Sequence, residues 1–80
     1  MLKATLYSRP GCHLCEVLKG KLHWIGRDDP LDVHEIDVSG DASLEARYGH
    51  RVPVLTIDGI EIAEGVVTDD ELRRRLAGRR

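Results

Sequence analysis

Around Pro10-Gly11 the chain changes its hydrophobic period from two to about 3.6, and no other feature constrains the fold as much. Before the break, residues 2–7 alternate, with Leu2, Ala4 and Leu6 on one face and Lys3, Thr5 and Tyr7 on the other. After it, Leu14, Leu18, Leu22 and Ile25 fall within one arc of roughly 100°, which predicts a core-facing helix over residues 12–25. Trp24 lies outside that arc and is assigned to packing, as are Tyr7 and Tyr48. Gly26 reads as the residue that ends the helix, and Arg27-Asp28-Asp29-Pro30 as the connection. Both cysteines, Cys12 and Cys15, stand at this strand-to-helix junction.

The remainder divides in the same way. Residues 31–38 read as a second strand whose alternation changes phase after Val33, and Ser39-Gly40-Asp41 as a turn capping a short helix over 42–48. Val52-Pro53 leads into a third strand, 52–57, and Asp58-Gly59 is a strong two-residue hairpin signal that returns residues 60–63 as a fourth. Thr68 and Glu71 have capping-box spacing at the start of a last helix from residue 69. In that helix Asp69, Asp70 and Glu71 each precede an arginine by four residues, so the basic tail through Arg79-Arg80 reads as a solvated helix end. The expected fold class is α/β, in the order βαβαββα.

Composition removes several function classes. Eighty residues suffice for one core, so residues 1–80 are read as a single domain. Twelve basic and 14 acidic side chains leave a formal charge of −2, which gives no footprint for nucleic acid or an anionic membrane. No apolar run approaches the roughly 20 residues that span a bilayer, and residues 1–7 alternate like a strand rather than a secretory leader. A cytoplasmic location is therefore expected. There, a close cysteine pair more often serves redox or metal chemistry than crosslinking.

Cys12 and Cys15 allow three readings. At a helix start the first sulfur meets unpaired backbone N–H groups and the positive end of the helix dipole, which favour its thiolate. Arg9, three residues earlier, adds positive charge on the same loop. A redox dithiol has this placement. Structural zinc normally wants four ligands, and one cysteine pair with His23, His34 and His50 scattered does not supply them, so no metal ligand is assigned. An inert crosslink would close only a tiny loop and change chain entropy little. His13, between the cysteines, has two readings: a neighbour that stabilises the Cys12 thiolate, or a solvated side chain of the first turn.

The segment Tyr7-Ser8-Arg9-Pro10-Gly11-Cys12-His13-Leu14-Cys15 resembles the active-site segment of glutaredoxins, and Val52-Pro53 resembles the proline motif of thioredoxin-fold proteins. In element order the likeness covers essentially the whole chain, and it is strongest to small bacterial glutaredoxin-like proteins. It implies a thioredoxin-like fold: a four-stranded mixed sheet flanked by three helices, with a cis Val52-Pro53 peptide set against the cysteines. It also implies that Cys12 is the nucleophile, Cys15 the resolving thiol, and the Val52 backbone a pairing site for bound substrate. Arg9 stands where glutaredoxins carry a basic residue that meets a glutathione carboxylate.

The sequence also departs from the glutaredoxin pattern. His13-Leu14 replaces Pro-Tyr, Arg51 replaces a threonine, and Glu64-Gly65-Val66-Val67 keeps one glycine of a Gly-Gly turn. The amides of Thr68 and Asp69, at a helix start, are candidates to receive a carboxylate, and Arg51 and Arg47 are outlying candidates for the same task. The expected activity is thiol–disulfide exchange with a disulfide-bearing protein or a glutathione mixed disulfide. No cofactor is expected to be bound, and glutathione or a reductase partner would supply electrons. The alternatives are a thioredoxin-fold binding module with little turnover and a metal or iron–sulfur delivery protein.

Overall fold

The computed structural model of the chain describes residues 1–79, so Arg80 of the basic tail lies outside the described residues. The elements are β1 (Leu2–Ser8), α1 (His13–Asp28), β2 (Leu31–Asp37), a single 3₁₀ turn (Val38–Gly40), α2 (Ala42–Tyr48), β3 (Val54–Ile57), β4 (Ile60–Glu64) and α3 (Asp69–Ala77). The strands form one sheet in the order β2-β1-β3-β4. β1 runs parallel to β2 and antiparallel to β3, and β4 completes an antiparallel hairpin with β3. Four strands in a mixed sheet with three helices is the arrangement expected above.

Alternation along β1 and β3 divides the core in two. Ala4, Leu6, Leu55, Ile57 and Ala63 face α1 and α3, where they meet Leu18, Leu22, Ile25, Leu72 and Leu76. On the other face Tyr7, Val52 and Val54 meet Val38, Leu44 and Tyr48 of the 3₁₀ turn and α2. The phase change in β2 follows from this division. Leu31 and Val33 pack on the first cluster, whereas Ile36 is in register with Tyr7 and shares its face. Each fully buried leucine or isoleucine of α1 contributes about 1.5–3 kcal/mol relative to exposure.

Several local expectations shift. α1 runs through Gly26 to Asp28, and its last turn is closed by the Asp29 N–H donating to the Ile25 carbonyl at 3.0 Å. Gly26 is helical because nothing there requires a left-handed residue. The buried arc of α1 is Cys15, Leu18, Leu22 and Ile25, so Leu14 is 42 % exposed, not part of the core. Trp24 is 62 % exposed rather than packed, with Arg27 5.0 Å from its ring centroid. Tyr7 and Tyr48 do pack, stacked at 4.1 Å. Val38 leaves β2 because the Asp37 carboxylate accepts from the Ser39 N–H and hydroxyl at 2.8 and 2.7 Å, starting a new turn. Those two bonds hold the Asp37 carboxyl below its ordinary range. Val52 and Pro53 lie ahead of β3, which begins at Val54.

The hairpin turn has Asp58 at φ 52° and Gly59 at φ 81°. Both central residues at positive φ match the right-handed twist of the flanking strands. Thr68 caps α3 by accepting from the Glu71 N–H at 3.1 Å, and Arg75 pairs with Glu71 at 3.1 Å.

Candidate active site

The loop of residues 9–12 carries the chain from the end of β1 into α1. Gly11 turns it at φ 75°, a left-handed conformation that favours glycine. Cys12 then serves as N-cap of α1, in extended conformation, and its Sγ accepts a hydrogen bond from the Cys15 N–H at 3.1 Å. A serine or aspartate oxygen usually fills this capping position, so here a sulfur occupies the point where helix amides converge. The two cysteines form a disulfide with Cα atoms 5.2 Å apart. Their exposure is unequal: Cys15 is 1 % exposed, on the core-facing arc, whereas Cys12 is partly exposed at the helix entrance. His13 is exposed to solvent beside them.

Sheet register brings the proline motif to the same end of the molecule. Tyr7 pairs with Val54, so Val52-Pro53 lies beside the chain leaving β1 toward Cys12. The Val52-Pro53 peptide is cis, and the Pro53 carbonyl accepts from the Gly65 N–H at 2.9 Å. That bond draws the turn after β4 against the proline, and Gly65 bends it at φ 64°. Leu14, Val17, Leu18 and Lys21 of α1 together with Gly65, Val66 and Val67 line a cleft of about 80 Å³. A larger groove of about 570 Å³ runs between α1 and β2, and neither sulfur lines either space.

The arginines singled out from sequence have partners within the fold. Arg9 donates through Nη2 to the Glu45 carboxylate and to the Gly49 carbonyl, the latter at 2.7 Å, which ties the loop before Cys12 to the end of α2. Its Nε is buried and makes no hydrogen bond. Arg51 holds Glu61 with both terminal nitrogens, at 2.6 and 3.2 Å, and approaches Glu64 at 3.6 Å. The Glu61 contact raises the Arg51 pKa and lowers that of Glu61. Arg47 and Arg51 also lie over the Tyr48 ring, at 5.2 and 5.4 Å. Burial, and then Tyr48, push the Tyr7 phenol above its ordinary value.

At the start of α3, the Thr68 hydroxyl is used in capping and the Asp69 carboxylate lies 3.3 Å from Lys21 Nζ. Lys21, Glu45 and Glu61 were not singled out from the sequence. Each meets a partner through a long-range contact that no local spacing encodes.

Gly49 shows how closely the Arg9 contact is built. A Cβ there would collide with the Glu45 carbonyl and carboxylate, and would lie 2.9 Å from Arg9 Nη2. Gly49→Ala is therefore expected to cost about 1–3 kcal/mol by overpacking, read as a lower urea midpoint. An unchanged midpoint would remove this packing argument.

Residues 3–77 match the sequence model of the Glutaredoxin-like domain (DUF836). An uncharacterised protein of Mycobacterium tuberculosis is 31 % identical over 80 residues, a match covering 94 % of this chain and 82 % of that protein. Among solved structures, the structural-genomics target XcR50 from X. campestris is 34 % identical, with a TM-score of 0.79 over 94 % of this chain and 96 % of that one. Protein Ne2328 from Nitrosomonas europaea is 28 % identical, with a TM-score of 0.80 over 91 % and 88 %. A mutant thioredoxin from Halobacterium salinarum is 26 % identical, with a TM-score of 0.68 over 96 % and 73 %. A cysteine pair at the head of α1, a cis-proline at the same end of the sheet and these likenesses converge: the chain belongs to the glutaredoxin-like family of thioredoxin-fold proteins.

Proposed function

We propose that this chain is a dithiol–disulfide oxidoreductase in which Cys12 is the nucleophile and Cys15 the resolving thiol. The observation that carries the reading is the Cys15 N–H directed at Cys12 Sγ at 3.1 Å. In the reduced protein the same amide and the helix dipole favour a Cys12 thiolate. Partial exposure lets Cys12 reach a substrate, while burial keeps Cys15 from competing as the first nucleophile.

The exchange proceeds in two displacements. Cys12 Sγ⁻ attacks one sulfur of a substrate disulfide, forming a mixed disulfide and expelling the other sulfur as a thiolate, which takes a proton. Cys15, after losing its proton, attacks Cys12 Sγ and expels the second substrate thiolate. The substrate gains two electrons and two protons, and the Cys12–Cys15 disulfide is the oxidised product. An external thiol, glutathione or a reductase dithiol, must then reduce that disulfide. The Val52 backbone, ahead of the β3 ladder, is the proposed pairing site for the substrate chain. No helix among the described residues is long and apolar enough to cross a membrane, and the proposed setting is the cytoplasm.

The test is equilibration of the protein in glutathione buffers of graded ratio, quenched by alkylation and read by intact mass. A disulfide that titrates at about −180 to −270 mV supports the reading. A pair still oxidised below roughly −300 mV would be a structural crosslink and would end it.

A further inference from the structure

Helix α2 has only seven residues, so the carbonyls of its last turn need partners from outside the helix. They find them in the two loops that form the site. Arg9, three residues before Cys12, donates through Nη2 to the Gly49 carbonyl at 2.7 Å and to the Glu45 carboxylate. Arg51, the residue before Val52, donates its backbone N–H to the Tyr48 carbonyl at 2.8 Å. Its guanidinium donates to the Arg47 carbonyl, from Nε at 3.4 Å and from Nη2 at 3.3 Å. Cations at the carboxyl end of a helix also meet the negative end of its dipole. Each arginine is fixed in turn by a carboxylate. Glu45 lies on α2 itself, and Glu61 on β4 takes both terminal nitrogens of Arg51, at 2.6 and 3.2 Å. Tyr48 packs the joint, stacked on Tyr7 of β1 with the Arg51 guanidinium 5.4 Å from its ring centroid.

From this turn each loop reaches its reacting end within a few atoms. The Arg9 carbonyl accepts from the Cys12 N–H at 3.4 Å, closing the turn that presents the sulfur. Arg51 is bonded directly to Val52, whose backbone is the proposed pairing site for substrate. The β1–β3 ladder aligns the two strands only as far as Tyr7 and Val54, and Arg9 and Val52 each lie two residues beyond it. Among the described residues, no hydrogen bond runs directly from residues 9–12 to residues 51–53. Both loops are fastened instead to the last turn of α2.

We propose that Glu45 and Glu61 are positioning residues: through Arg9 and Arg51 they hold the cysteine loop and the proline loop against the last turn of α2, so that a substrate paired on Val52 stands in line with Cys12. This rests on the exchange reading of Cys12 and Cys15, and adds two residues to it. Displacement within a bound complex is sensitive to such alignment, since a misplacement of about 1 Å can cost about 10²-fold in rate. A disulfide without a peptide backbone has nothing to pair on Val52 and escapes the requirement.

The test follows oxidation of the reduced full-length protein in single turnover by two uncharged probes. One is the symmetric disulfide of a capped peptide with alanine on each side of cysteine, the other bis(2-hydroxyethyl) disulfide. The variants are Glu45→Ala, Glu61→Ala and the double. These side chains are 41 and 37 % exposed, so truncation opens no core cavity, and thermal unfolding checks the fold. Each single variant is expected to lower the maximal peptide rate, relative to the hydroxyethyl rate, about tenfold, with the half-saturating peptide concentration within about twofold of wild type. In the double variant the loss should stay near tenfold instead of multiplying to about a hundredfold, because freeing either loop already destroys the alignment. An unchanged ratio in both single variants would show that the β1–β3 ladder alone aligns the loops. Losses that multiply would show that the two carboxylates act separately. Either result overturns the proposal while leaving exchange intact. Oxidation of the wild type by neither probe would overturn the exchange reading and this inference with it.

Discussion

Cys12→Ser is expected to reduce disulfide exchange by roughly 10³-fold or more, to the uncatalysed background. A serine hydroxyl still accepts the Cys15 N–H and still caps α1, so the helix should survive the change. What is lost is the thiolate, the nucleophile in the chemistry proposed. Cys15→Ser should behave differently. The first displacement needs only Cys12, so the variant should accumulate a mixed disulfide that intact mass detects as a covalent adduct. A Cys12→Ser protein that retains activity, or a Cys15→Ser protein that forms no adduct, would show that the roles are misassigned. Exchanged behaviour of the two variants would reverse them.

Leu6→Ala should have the largest effect on stability. Leu6 is fully buried at mid-β1, in register with the equally buried Leu55, and packs in the cluster that α1 and α3 cover. Truncating it removes buried surface and leaves a cavity, at a cost of about 2–5 kcal/mol. At 0.05–0.15 kcal/mol per residue, a chain of 80 residues has about 4–12 kcal/mol in total. The variant should therefore unfold at a much lower urea concentration, and where a total of about 4 kcal/mol meets a cost of about 5 kcal/mol it should be largely unfolded without urea. Far-UV circular dichroism is the better probe, since the single tryptophan, Trp24, is already 62 % exposed in the native state. A loss under about 1 kcal/mol would mean that the surrounding side chains close over the gap.

Much of this architecture is legible from local rules. The Pro10-Gly11 break, the Asp58-Gly59 turn and the Thr68/Glu71 cap each act over a few residues, and each appears where those residues predict it. The position of the cysteine pair follows directly, because a strand-to-helix junction locates the helix amides. Periodicity is less decisive on α1. Leu14 and Cys15 both border the apolar arc, and only the packing of α1 on the sheet decides that the sulfur goes in and the leucine stays out. Trp24 is the converse case: periodicity already sets it outside the arc, and its 62 % exposure follows that azimuth, whereas its assignment to packing rests on its size.

The charged rim is not legible in the same way. Arg9 meets Glu45 across 36 positions, and Arg51 meets Glu61 across the β3–β4 hairpin. Those pairings tie each arginine to a distant carboxylate, and they exist only once the chain has folded.

The two outer strands have a consequence for self-association. β4 carries Glu61 and Glu64, and its register with β3 shifts between Leu55 and Thr56. β2, at the other border, exposes Asp32, His34, Glu35 and Asp37. An irregular ladder and a strand rich in acidic side chains make poor templates for a second strand. Copies of the chain that collide edge to edge are thus discouraged from zipping into a continuous sheet, as a crowded solution would otherwise favour.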